Sequence, residues 1–279
     1  MEIIVPLFPS LDPGVELRRA WPDVRFVDIA GDPPQSPGLE HWKYDRRRAA
    51  GLGAARGDVI ALTEDRTIPG NRWCSSLWAT HQRESYAVIG SGIDYFGQAP
   101  VNRAAFYCDF GRYQPPFQAA QVEFLSAANV AYKRSILENC RSLWKDFYDE
   151  SEVHRHIRGA GGSLYLTPES SLSYGRGSLA AGLALRQKRA SGRVFAGRRA
   201  QSTGVRRWAY AAMAPALAPL MLIRMLLLKI RRGHALGPFL SAAPFTLLCL
   251  LSWSLGEFTG YVTARPFPAA AQDGSLPHR

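Results

Sequence analysis

The sequence predicts an α/β domain, with a mixed, mostly parallel sheet and flanking helices, followed by C-terminal apolar membrane helices. Three observations predict it. Over residues 1–174 short apolar runs alternate with longer helix-forming stretches, the pattern of strand pairs covered on both faces. Two long uncharged stretches follow, Trp208–Ile223 and Ala235–Gly256. Charge divides at the same place: residues 1–174 carry 19 Lys+Arg against 21 Asp+Glu, whereas residues 175–279 carry 15 against 2.

Glu2–Val5 is an apolar run that stops at Pro6, and Val15–Ala20 has helix formers. Val24–Ile29 is a second strand, and Gly31–Gly38 is a Pro/Gly loop. Glu40–Arg56 is a helix with a basic face, ended by Gly57. Asp58–Thr63 is a buried strand, Ile68–Gly70 a turn, Trp73–Gln82 a helix and Tyr86–Ile93 another strand. Tyr95–Pro116, rich in aromatics, is either a mobile acceptor loop or a segment packed on the apolar helices. The tail from Arg265 is Pro/Ala-rich and expected to be disordered. The expected division is therefore 1–180 for the α/β domain, 181–207 for a basic linker, 208–262 for membrane-associated helices and 263–279 for the tail.

At 47% hydrophobic and 20% charged, the chain has ample core-forming residues, which excludes wholesale disorder and fibrous folds. The four cysteines make no CxxC pair, so neither a zinc knuckle nor a disulfide scaffold is signalled. No basic n-region precedes a long apolar stretch at Met1, so no signal peptide is expected. The net charge of +11 invites a nucleic-acid reading. Its placement argues against one, because the basic residues flank the apolar stretches, which suits membrane lipid and no nucleic acid. Ala235–Gly256 is 22 residues without a charge, about 33 Å as a helix and enough to cross a hydrocarbon core. Trp208–Ile223 crosses only if the helix continues past Arg224, and Pro215 and Pro219 are expected to kink it. Both ends of this first stretch are basic, so a simple hairpin places one basic loop on the wrong side, unless the first stretch lies in the interface or re-enters on the same side. The alternative for the two stretches is a pair of buried helices in a soluble domain.

The chemistry-bearing stretch is the end of the Asp58–Thr63 strand, which stops in Glu64-Asp65 and is followed by Pro69. Carboxylates at the carboxyl end of a strand face the crevice where open α/β sheets bind ligands. Two together can hold a hard divalent cation, and such a cation neutralises a diphosphate leaving group.

The run Ala55-Arg56-Gly57-Asp58, then Glu64-Asp65, then Pro69 and Trp73 resembles family 2 glycosyltransferases, which have the GT-A fold. Thr63-Glu64-Asp65 is similar to a bacterial membrane-associated subgroup. Ser126-Ala-Ala-Asn129-Val-Ala-Tyr-Lys-Arg134 is similar to the family's acceptor-side segment. Asp149-Glu150-Ser-Glu152 followed by Gly161 looks like the region that supplies its general base. Trp253-Ser-Leu-Gly-Glu257-Phe-Thr-Gly-Tyr261 looks like the ending of that subgroup, so the resemblance covers about residues 2–262.

The resemblance implies Mg²⁺ or Mn²⁺ on Glu64 and Asp65, and a UDP- or GDP-linked sugar donor contacted by Asp12, Arg48, Glu64 and Asp65. It implies Asn129 and Arg134 on the acceptor side and Asp149 or Glu150 as the base. A hydroxyl attacking the anomeric carbon needs a carboxylate within reach to take its proton. The acceptor would be a glycan or lipid-linked molecule near a membrane, and the catalytic domain would face the cytoplasm. Two departures stand out. Glu2–Val5 matches the family's second strand, as though the first were missing, with Leu7 where a nucleobase-binding aspartate is usual. Tyr174 occupies the place of a frequent histidine. These departures support an alternative, a non-catalytic membrane-bound remnant or partner-binding protein; a basic peripheral protein is a second alternative.

His154 and His156, two apart, do not share a helix face as a metal pair would; with Arg155 and Arg158 they either contact diphosphate or form a solvated face, and the solvated face is expected. Gly51 and Gly53 lack the strand–turn–helix context of a dinucleotide fingerprint. Ser75 and Ser76 lack a nucleophile elbow. Arg47 and Arg48 face either donor phosphates or solvent, and Trp73 is either core or a sugar platform.

Overall fold

The computed structural model describes residues 1–11, 14–32, 40–97, 99–175 and 180–264. Asp12, most of the Gly31–Gly38 loop and the tail from residue 265 lie outside the described residues. The chain forms two compact units: residues 1–94 with 117–173, and residues 95–116 with 174–279. Its class is mixed α/β with a central sheet, flanking helices and two apolar C-terminal helices.

The first unit begins with β1 (Ile3–Leu7), α1 (Val15–Ala20) and β2 (Val24–Asp28). β1 and β2 pair in parallel, Ile3 opposite Val24 through Leu7 opposite Asp28. β1 thus runs through Pro6 instead of stopping there. α2 (Glu40–Ala54) packs on this pair, and a Cβ at Gly51 would stand 3.0 Å from Pro6 Cγ. β3 (Val59–Thr63), β4 (Thr67–Pro69) and α3 (Trp73–Arg83) follow. The expected turn at Ile68 is therefore in part a short strand, because residues 67–69 find a sheet partner. β5 (Val88–Tyr95) leads to the second unit through α4 (Pro100–Phe110). The chain returns through β6 (Ala120–Val122), β7 (Asn129–Lys133), α5 (Arg134–Asn139), α6 (Arg141–Trp144), α7 (Glu150–Gly159) and β8 (Leu164–Tyr174).

The larger sheet has the order β3-β7-β5-β8-β4, with β6 also on β8. β7 runs antiparallel to both β3 and β5, and β6 antiparallel to β8. The sheet is therefore mixed, as expected. β7 returns to the sheet from the excursion through α4 rather than by a helical crossover, so it enters between β3 and β5 in the opposite sense. Trp73, Leu77, Ile89, Ala131 and Leu172 form a core cluster on this sheet. Tyr86 and Tyr165 stack beside it, 4.3 Å between ring centroids.

The second unit gathers α4, α8 (Ala181–Thr203), α9 (Arg206–Arg231) and α10 (Gly237–Thr263). Of the two readings of Tyr95–Pro116, the packed one is observed: Tyr107 meets Phe239 at 5.3 Å between ring centroids. Asp109 also pairs with Lys188, and Cys108 shares a thiol hydrogen bond with Cys249. Tyr174 packs on Phe110 at 4.8 Å. α9 is continuous from Arg206 to Arg231 with Pro215 and Pro219 inside it. α9 and α10 are each long and apolar enough to cross a membrane.

α8 and α10 approach backbone to backbone. A methyl at Gly256 would overlap the carbonyl of Arg189, one at Gly260 that of Arg193, and one at Gly192 that of Trp253. Ser252 Oγ donates to the carbonyl of Leu185 at 2.7 Å. The partners rise together along both helices, so α8 and α10 run in the same direction.

Candidate functional site

The site is built at the carboxyl end of β3. The turn after the strand is closed by Thr67, whose N–H and hydroxyl both donate to the Glu64 carbonyl, at 3.1 and 2.6 Å. Thr63 and Thr67 hydroxyls share a 2.7 Å bond across the turn. The turn presents Glu64 and Asp65 to α2, where three successive arginines fan out because a helix turns about 100° per residue. Arg46 donates to the Asp146 carbonyl at 3.3 Å, and Arg47 Nε donates to the Pro6 carbonyl at 3.0 Å. Arg48 Nη2 donates to Glu64 Oε1 at 2.7 Å, while its Nη1 lies 3.5 Å from Asp45 Oδ1.

Arg48 is the hub of this cluster. Burial alone would pull its guanidinium down, but Glu64, Glu150 and Asp45 more than reverse that and hold it above its ordinary value. Glu150 comes from the start of α7, far from α2 in sequence. Its Oε2 accepts from the Ala127 N–H at 2.6 Å. Asp149 caps α7, its Oδ1 accepting from the Ser151 and Glu152 N–H groups at 2.9 and 3.2 Å. Glu64, Arg48 and Glu150, three of the expected site residues, are thus brought together. Asp65 stands at the rim, 61% exposed, with Oδ2 3.7 Å from Arg47 Nη1.

The acceptor-side expectations fare differently. Asn129 is buried, and its amide is fully engaged: Oδ1 accepts from Trp73 Nε1 at 2.9 Å, and Nδ2 donates to Ser91 Oγ and the Gly92 carbonyl, both at 2.8 Å. Trp73, 6% exposed, is core rather than a sugar platform. Arg134 follows Lys133, which pairs with Val59 at the far end of β3. Its N–H donates to the Asp58 carbonyl at 2.8 Å and its Nε to that of Gly57 at 2.9 Å. Five residues of strand, roughly 15 Å, separate it from Glu64. The cause is the antiparallel sense of β7, which carries Asn129 to the site end and Arg134 to the other. Asp12 lies outside the described residues.

A divalent cation on Glu64 and Asp65 can be tested on this arrangement. Hard cations take six or more oxygens. Glu64 faces the Arg48 guanidinium, Asp65 faces Arg47, and among the described residues no group of three or more His, Cys, Asp or Glu is placed to hold a metal. As arranged, the donor set does not fit a metal held by the protein. Two guanidinium groups, of Arg47 and Arg48, stand beside these carboxylates.

A buried chain behind the site was not legible as such in the sequence. Tyr132 contacts both the Tyr148 hydroxyl and His154 Nε2, the latter at 2.6 Å. Burial, with Glu150 beside it, pushes the Tyr148 phenol far up; burial, then Tyr148, does the same to Tyr132. His154 Nδ1 accepts from the Leu125 N–H at 3.5 Å, and burial pushes its imidazole down to about 4. His154 is therefore neutral and packed inside, which corrects the solvated face expected for it. Of the two α7 histidines, His156 is the exposed one. The spacing of Glu150, Val153, His154 and Ile157 is the helical signal that identifies the inner face.

His81, in α3, is likewise buried and pushed down to about 4 by burial. Both imidazoles bind a proton more readily in the unfolded chain, whose histidines titrate near 6.5. Folding stability is then complete above about pH 6.5 and falls as pH drops toward about 4, each histidine contributing a slope of up to about 1.4 kcal/mol per pH unit. Urea midpoints measured from pH 7.5 to 4.5 should decline, and His81→Gln should flatten the decline. A pH-independent midpoint would contradict the burial of both rings.

No protein-family model matches the chain, and no curated protein matches it. Among solved structures, it is similar to a mycobacterial protein, with 16% identity and a TM-score of 0.41. That match covers 68% of this chain and 62% of the mycobacterial protein, so this chain spans less than two thirds of its length. It is also similar to S. aureus TarS residues 1–349, with 11% identity, a TM-score of 0.45 and coverage of 99% of this chain and 83% of that one. The TarS structure in complex with UDP-GlcNAc matches with 10% identity, a TM-score of 0.46 and coverage of 99% and 84%.

Proposed function

We propose that this chain is a glycosyltransferase that moves a sugar from a nucleoside diphosphate donor to a membrane-proximal or lipid-linked acceptor. The observation that carries the reading is the Arg48–Glu64 ion pair at the carboxyl end of β3, with Glu150 acting electrostatically on the same guanidinium. Glu64 and Glu150 come from separate segments, and both belong to the motifs that resemble family 2 glycosyltransferases. Arg47 and Arg48 supply positive charge for a diphosphate leaving group. Glu150 is the better candidate for the base, because the carboxylate of Asp149 is spent on capping α7. The apolar α9 and α10 support membrane association, and we place the catalytic unit on the cytoplasmic face.

Two observations favour the non-catalytic alternative. Both Glu64 and Asp65 face arginines of their own chain, and Leu7, 6% exposed, stands where the resemblance calls for a nucleobase aspartate.

The test is calorimetric titration of UDP and of GDP into the detergent-purified chain, with Mn²⁺ and with EDTA, beside Asp65→Ala. Binding of one nucleotide that persists in EDTA is expected from the two-arginine arrangement. Binding that requires Mn²⁺ and is lost in Asp65→Ala would restore the cation to the site. No binding of either nucleotide would overturn the transferase reading.

A further inference from the structure

We propose that α8, α9 and α10 lie in the plane of one membrane leaflet, with the arginines of α8 on anionic headgroups, and that neither apolar helix crosses the bilayer. The proposal rests on the membrane association read above and is independent of the transferase reading. Length alone permits crossing: α9 has 26 residues and α10 has 27, each about 40 Å long. Three features of the second unit argue for the other arrangement.

The first is where the loop between α9 and α10 is tied. Lys229 Nζ donates to Gln114 Oε1, and Arg232 Nη1 donates to the carbonyl of Arg112 at 2.7 Å. Gln114 is three residues before Phe117, where the chain leaves this unit for the polar sheet domain. Three residues reach about 11 Å at most, far short of a hydrocarbon core of about 30 Å. The loop at residues 232–236 is therefore held on the side from which the chain enters.

The second is the company of the other end. If α9 and α10 crossed, Val205 and Ala264 would lie beyond the bilayer, and the chain would have to reach them through α8. α8 runs along α10 in the same direction, with Arg189 against Gly256 and Arg193 against Gly260. It contains no Asp or Glu, and Arg186, Arg189, Arg193 and Arg199 are exposed. Exposed arginines on a helix within hydrocarbon are among the costliest placements a membrane protein can make. In the plane of a leaflet, the same side chains meet lipid phosphates.

The third is the shape of the apolar surface. On α10, Leu248, Leu251, Leu255 and Phe258 are exposed at helical three-and-four spacing, and Ile223 and Leu227 continue the pattern on α9. Such stripes run the length of each helix and offer one face to acyl chains, beside a basic helix for headgroups.

The test places single cysteines at the two ends of α9, Val205→Cys and Ala235→Cys, both at exposed positions. Sealed inverted membrane vesicles from expressing cells are treated with a membrane-impermeant maleimide. The exposed native Cys74 reports the side of the sheet domain. Both introduced cysteines are expected to label from the side that labels Cys74, and to the same extent. Labelling of either from the opposite side, or of Ala235→Cys from neither, would overturn the proposal. Trypsin on the unaltered protein in the same vesicles guards against misfolded variants. Cleavage at Arg206–Arg207 and at Arg231–Arg232 from the Cys74 side is expected, and protection of one pair would overturn the proposal. Recovery of the chain away from the membranes would overturn it too, through the membrane association on which it rests, and would leave the nucleotide titration untouched.

Discussion

Arg48→Ala is expected to cost about 3 kcal/mol of folding stability and to abolish nucleotide binding. The side chain is only 19% exposed, and it neutralises Glu64 at 2.7 Å and Asp45 at 3.5 Å. Glu150 also acts on it. Breaking one side of a buried ion pair costs more than the pair itself contributes, because the remaining carboxylates lose their counter-charge while still shielded from water. Two carboxylates pair with this one guanidinium and a third acts on it electrostatically, so the loss is concentrated. Arg48→Lys should recover only part of it, since an ammonium cannot serve two carboxylates with fixed fork geometry. Urea denaturation reads the stability and calorimetry reads the binding. A variant as stable as the parent, within about 0.5 kcal/mol, would show that the cluster does not hold the end of β3.

Glu150→Gln should separate binding from chemistry. Removing a general base lowers turnover about 10²- to 10⁴-fold. The glutamine retains an acceptor for the Ala127 N–H that Glu150 holds at 2.6 Å, so the start of α7 should stay in place. The measurement is release of nucleoside diphosphate from whichever nucleotide-sugar the titration identifies, with its dissociation constant measured alongside. Turnover falling with unchanged donor affinity is the expected result. Undiminished turnover would remove Glu150 from the reaction. Asp149→Asn is the companion: it should mainly weaken the cap, at a cost near 1 kcal/mol, because its carboxylate already accepts two backbone N–H groups.

Much of the architecture could be read from local patterning. The strand at Val59–Thr63 and the helices at Val15–Ala20 and Trp73–Arg83 follow from periodicity and breakers, which act over a few residues. The apolar helices announced themselves by length. The antiparallel entry of β7 was not legible, because strand sense is settled by pairing between residues such as Thr63 and Asn129, far apart in sequence. That single fact displaced Arg134 from the site while leaving Asn129 near it. β4 has three residues and no pattern of its own, and only its sheet partner makes it a strand. Within the site, the acidic residues were visible as motifs. The arginine that organises them was visible only as one of three in a row, since its neighbours are chosen by tertiary packing. His156, close by in sequence, hides the burial of His154, which the spacing with Val153 and Ile157 on α7 gives away.

The glycine contacts between α8 and α10 carry a mechanical consequence. Ordinary helix pairs touch through side chains, which can swap rotamers and let one helix slide past the other. Here Gly192, Gly256 and Gly260 replace that compliant layer with backbone on backbone, so the two helices are keyed together at a fixed register. A push on the charged helix is then delivered to the apolar one without slack. The pair behaves as a single stiff beam, and any tilt imposed on its basic side turns its greasy side by the same angle.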